Sequence, residues 1–191
     1  MAYEFNPERV AYFEAAGWRA YYERAWLKLL SLLVRLNQEQ FRIPFPVSLL
    51  AAYYVVRASV DWVPKDHDRK RVTNWLEKFY RIAQRYSGLT FDTARVAVLE
   101  EQYWQVHRRL SGTPDKTEFI NILTNLHSET FGISREQARP SAELRVEANN
   151  KVDLITSRTS TNPESDWAKL EEDLRQCYRS IQTERKAVVQ A

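Results

Sequence analysis

Apolar residues in this chain recur three and four positions apart, and nowhere do they alternate long enough to mark a strand. A helix opens at Asn6–Pro7, because asparagine caps well and proline suits a first turn. Its pattern runs to about Phe41, with the apolar face shifting near Gly17 and Trp18, where a bend or break is expected. Leu29, Leu32, Leu33 and Leu36 then form one stripe. The prolines of "RIPFPVS" end that segment. Residues 47–63 are apolar nearly all round, which predicts a central, buried helix stopped by Pro64. A one-sided helix follows "KDHD", capped by Asp66 or Asp68, with Val72, Leu76, Phe79, Ala83 and Tyr86 on its inner face.

Further helices are predicted over residues 92–111 and 116–131, and from about Pro140 onward. The last follows "TSTNPESD", where Trp167, Leu170, Leu174, Cys177, Tyr178 and Ile181 share a side. Residues 183–191 read as a fraying or disordered tail. The fold class is therefore all-α: a compact single-domain bundle of about seven helices over residues 1–182, joined by short connections.

Composition agrees with that reading. A chain of 191 residues buries roughly 70% of its unfolded surface and needs no staple. With 44% hydrophobic and 28% charged residues, it has the balance of a soluble globular domain. Four glycines leave little material for a phosphate-cradling loop, and one cysteine rules out an internal disulfide or a cysteine-based zinc cluster. The opening "MAYEFNPERV" lacks the basic start and apolar run of a secretory signal. The longest apolar run, "FPVSLLAAYYVV", ends before Arg57 and Asp61, short of the ~20 residues a spanning helix needs. No membrane insertion and a cytoplasmic setting are the expectations. A net charge of +3 is too small to imply nucleic acid, and the excess of arginine (20, against 8 lysines) suits protein interfaces as well as phosphate.

Candidate chemistry clusters in "LEEQYWQVHRRLSG". His107 lies about 70° from the core line of its helix at 100° per residue, with Glu100 two turns earlier and Trp104 beside it. His127 falls inside the apolar arc of the next helix, so its ring nitrogens need partners: a carbonyl, a carboxylate, a metal or a ligand. In "AELRVEANNKVDLIT", Glu143, Glu147 and Asn150 align on one flank of the apolar stripe, and Arg145, Asn149 and Asp153 on the other. Consecutive asparagines inside a helix cost a few tenths of a kcal/mol each, which the tertiary structure must offset. Arg57 and Asp61 are spaced to pair, or Arg57 is left to hold an anion. His67, among capping acids, is expected to face solvent.

The motifs of di-iron bundles, zinc proteases, serine hydrolases and nucleotide-binding loops are missing. His107 and His127 with one carboxylate would make a facial triad for iron if their helices converge, and a haem needs only one inward histidine. The cofactor thus stays open. "WRAYYERAW" places Trp18, Arg19, Tyr22 and Trp26 around one helix, the composition of interface anchors.

Two functions fit these features. One is a protein–protein interaction, assembly or regulatory module that works through Trp18, Arg19, Tyr22 and Trp26 on a protein partner or a second copy. The other is an enzyme or cofactor-binding bundle with an interior polar pocket. In the second, His107 or His127 serves as base or metal ligand and Glu100 or Glu147 as carboxylate, while Arg57, Trp104, Asn150 and Asp153 contact the ligand.

Overall fold

A computed structural model describes residues 3–190. Among them are eight helices and no strand: α1 (Pro7–Tyr22), α2 (Trp26–Phe41), α3 (Val47–Trp62), α4 (Arg69–Ser87), α5 (Thr93–Leu110), α6 (Thr117–Phe131), α7 (Arg135–Thr156) and α8 (Pro163–Gln190). Each helix packs on the next, and α8 returns to pack on α1. The bundle is therefore a closed ring, and a ring of this many helices encloses more space than its side chains readily fill. That geometry places the candidate site.

Four expectations are corrected here. First, the chain does not break at Gly17 but at Glu23–Ala25, where Arg24 adopts a left-handed backbone (φ 58°), which makes eight helices rather than seven. Gly17 stays helical, and α2 does not require a glycine there, since a Cβ would make only ordinary contact, 3.9 Å from Leu29 Cδ1.

Second, α3 is peripheral. It buries only Ser48, Ala51, Ala52 and Ala58 and exposes Leu49, Leu50, Tyr53 and Val60. Its all-round apolarity serves the outside and the cavity wall as much as the core.

Third, α7 begins five residues before Pro140. The Ser134 side chain accepts from the Gln137 backbone N–H while the Gln137 side chain accepts from the Ser134 N–H, a reciprocal capping box that starts the helix. Ser134→Ala is expected to lower stability by about 1 kcal/mol in urea unfolding. An unchanged midpoint would show that Pro140, not the cap, sets the helix start.

Fourth, the stretch expected to fray continues α8 to Gln190. It is tied back by Gln137 Nε2 donating to Glu184 (2.9 Å) and by Arg185 Nη1 donating to the Phe131 carbonyl (2.6 Å). Ala191 lies outside the described residues. No helix among those described is long and apolar enough to cross a membrane.

Candidate functional site

The ring encloses a cavity of about 360 Å³, to which all eight helices contribute. Tyr22, Trp26, Val60 and Val63 border it and are also about half exposed, so its mouth lies between the α1–α2 corner and the C-terminal end of α3. Its walls are mostly apolar: Phe13, Leu36, Phe41, Val55, Phe79 and Leu126 among others. Several polar groups also stand in the wall.

The first group is an ion pair. Glu14 lies on the buried face of α1, with Val10, Phe13 and Gly17. Its carboxylate receives both terminal nitrogens of Arg145 from α7, with Nη1 at 3.2 Å, and also the hydroxyl of Tyr178 from α8. The guanidinium lies near the rings of Trp18 and Tyr103, 5.6 and 5.7 Å from their centroids. Burial opposes the charge on Arg145, but Glu14 and the other acidic groups around it together outweigh burial and keep the group protonated. Burial, and then the Glu14 charge, push the Tyr178 phenol well above its usual range, so it remains a donor. The neighbouring Cys177 thiol is raised to about 12 by burial and is no nucleophile.

The second group centres on Glu100 of α5. It lies deep in the fold yet keeps accessible surface, and that surface belongs to the cavity it lines. Its carboxyl accepts from Tyr80 Oη (3.1 Å) and Trp104 Nε1 (2.9 Å), both neutral donors. Burial raises its pKa, and the nearby Arg145 charge only partly offsets this. A carboxyl held toward its protonated form beside a phenol is able to exchange a proton with a bound molecule.

The third group is His127 of α6. Its Nδ1 lies 2.7 Å from Ser141 Oγ, whose own proton goes to the Ala138 carbonyl at 2.8 Å. The serine therefore accepts from Nδ1–H, and the neutral ring turns Nε2 into an acceptor. Burial lowers the imidazole to about 3, with the Arg145 charge adding to the effect. Two more wall residues, Asn37 and Thr130, are buried with Nδ2 and Oγ1 unbonded within the chain.

The predicted site residues sort as follows. Glu100, Trp104, His107 and His127 border the one cavity. The ring of His107 stacks on Phe119 (5.4 Å) and bonds Asp153 through Nε2 (2.9 Å), which places Asp153 behind the histidine rather than in the wall. The two imidazoles form no metal centre: among the described residues no three His, Cys, Asp or Glu side chains are grouped to hold an ion.

Glu147 is exposed and Asn150 lies outside the lining, so the inward flank of α7 is the other one, with Arg145 and Asn149. Asn149 repays its cost by accepting from Tyr103 Oη (3.2 Å) and donating to the Arg145 carbonyl (2.8 Å). Arg57 is no anion clamp. It pairs with Asp61 at 3.4 Å, lies over Trp75 and does not reach the cavity.

His67 is buried, not solvent-facing: it meets the fully buried Glu101 at 3.3 Å and lies against Trp62. On α1, Trp18 turns into the cavity, and Arg19 is held by Glu164 (2.6 Å) and Glu23 (2.8 Å). Only Tyr22 and Trp26, at the mouth, remain exposed from that aromatic set.

Glu14, Tyr80 and Tyr178 were not singled out from sequence. The signal for Glu14 was a carboxylate at helical spacing within the stripe Val10–Phe13–Gly17, and for Tyr178 a phenol within the stripe of α8.

Comparison with protein-family models, with curated proteins and with solved structures finds no match to this chain.

Proposed function

We propose that the protein binds a small, largely apolar organic molecule inside the helical ring. The observation that carries this reading is the grouping of Glu14, Glu100 and His127 around Arg145 in the wall of one apolar cavity. Its volume falls within the roughly 300–1,000 Å³ of small-molecule sites, and such sites pair apolar walls with a few placed polar groups. Groups with displaced pKa values, here Glu100 and His127, tend to collect where ligands are handled. The surface-module reading is weaker, because Trp18 and Arg19 are already engaged within the chain.

Gly17 provides the test. It lines the cavity in mid-helix, and a Cβ there makes only ordinary contact. Gly17→Ala is expected to stabilise the protein by up to about 1 kcal/mol through helix propensity. Gly17→Leu should extend into the space and exclude a ligand while the helix content holds. The readout is intrinsic fluorescence, since four of the six tryptophans (Trp18, Trp26, Trp62, Trp104) border the cavity. Titration with small aromatic hydrocarbons should shift emission in the parent and not in Gly17→Leu. An equal response from both proteins would place binding elsewhere and remove the reading.

A further inference from the structure

Once Glu100 is ionised, the charges around the cavity do not cancel. Apart from tyrosines, its ionisable wall residues are Glu14, Glu100, Arg145, His107 and His127. Arg145 is committed to Glu14 through both terminal nitrogens. His127 is held neutral by burial. His107 turns its Nε2 to Asp153, which lies outside the wall, and makes no bond to Glu100. Glu100 has no ion-pair partner among the described residues, and its two hydrogen-bond donors are neutral. The interior thus holds two carboxyl groups and one guanidinium. A buried carboxylate without a counter-charge is costly, and a cation that enters with the ligand removes that cost.

The walls suit such a cation. Trp104 and Tyr80 flank the carboxyl through their hydrogen bonds. Trp62 packs edge-on to Trp104 at 5.8 Å but already carries the Arg108 guanidinium 3.3 Å from its ring centroid, so the faces left to a ligand are those of Trp104, Tyr80 and Phe79, which lies 4.9 Å from Tyr80. The faces of such rings attract organic cations, most strongly when water is excluded. Glu100 remains accessible from the cavity, so a ligand can reach it.

Resting on the interior-cavity reading above, we propose that the ligand is an organic cation: an amine or quaternary ammonium group on a compact apolar frame, its charge at Glu100 between Tyr80 and Trp104. An anion is disfavoured by the same charge balance, because the guanidinium is already taken.

The test is a fluorescence titration of the full chain with phenyltrimethylammonium and its uncharged carbon isostere, tert-butylbenzene. The cation is expected to bind at least about tenfold more tightly. Glu100→Gln should abolish that preference and leave the isostere's affinity unchanged. Should Glu100→Gln fail to fold by circular dichroism, Trp104→Leu serves instead, with the preference falling several-fold. Equal or tighter binding of the isostere, or tighter binding of benzoate than of the cation, overturns the charge assignment and leaves the cavity reading standing. If none of the three binds, the cavity reading falls with it.

Discussion

Glu14→Gln is expected to cost about 3–5 kcal/mol of folding stability, a large share of the roughly 5–15 kcal/mol that holds a domain together. The reason is what the substitution leaves behind. The side chains of Glu14 and Arg145 are only 9% and 12% exposed, so a guanidinium without its carboxylate stays largely buried without its counter-charge. Tyr178 is a neutral partner and cannot replace the lost charge. Arg145→Met should cost a similar amount by stranding Glu14.

The double variant, Glu14→Gln with Arg145→Met, removes both charges and should lie much nearer the parent than the sum of the two losses. Urea unfolding of the four proteins measures the coupling. A double variant as unstable as that sum would mean that the two groups act independently and the pair holds nothing together. The closeness of Arg145 to Trp18 and Tyr103 adds a check: near-ultraviolet circular dichroism should change in both single variants, since those rings lose a fixed neighbour.

That same pair shows where sequence reasoning reached and where it stopped. Helical periodicity found nearly every element, because a helix packed on one side repeats its apolar residues whatever surrounds it. It misplaced the α1–α2 break, since the cause is a left-handed Arg24 that carries no glycine signal. It also started α7 late, because Pro140 obscured the Ser134–Gln137 box.

For the site, the inward histidine His127 and the asparagine pair pointed at a real interior. Choosing between the flanks of α7 needed the ring closure, which fixes which side of a helix faces the middle. Glu147 and Arg145 are equally plausible on a helical wheel, yet one meets solvent and the other Glu14 from 131 residues away in the chain. Long-range pairing of that kind leaves no local trace. Apolar residues in α3 were likewise read as core, when several of them border a cavity or face outward.

His127→Asn is expected to remove a pH dependence of stability worth about 2 kcal/mol between pH 7 and about pH 5. The imidazole is lowered from 6.5 to about 3 by burial, helped by the Arg145 charge, and its polar neighbours offer nothing to stabilise a second proton: Ser141 already gives its own proton to Ala138. In the unfolded chain the ring takes up a proton near 6.5, whereas in the folded chain it stays neutral down to about 3. The unfolded state therefore binds more protons throughout that window. The contribution of His127 is complete above 6.5 and is lost as the pH falls, at about 1.4 kcal/mol per unit.

Glu100 acts with the opposite sign. Its raised pKa favours the folded state at low pH, and that advantage is lost as the pH rises through the folded value. The difference between parent and variant isolates the histidine from this opposing slope. Asparagine is the right replacement, since its amide N–H stands near the position of Nδ1 and preserves the bond to Ser141. Urea unfolding at half-unit pH steps should show the two proteins converging as acid is added. A constant gap, or an imidazole resonance in the folded protein that titrates near 6.5, would mean that His127 is solvated rather than sealed into the wall. If the ring is sealed, Nε2 stays an acceptor across the whole range, and any molecule in the cavity meets a neutral nitrogen there rather than a second cation.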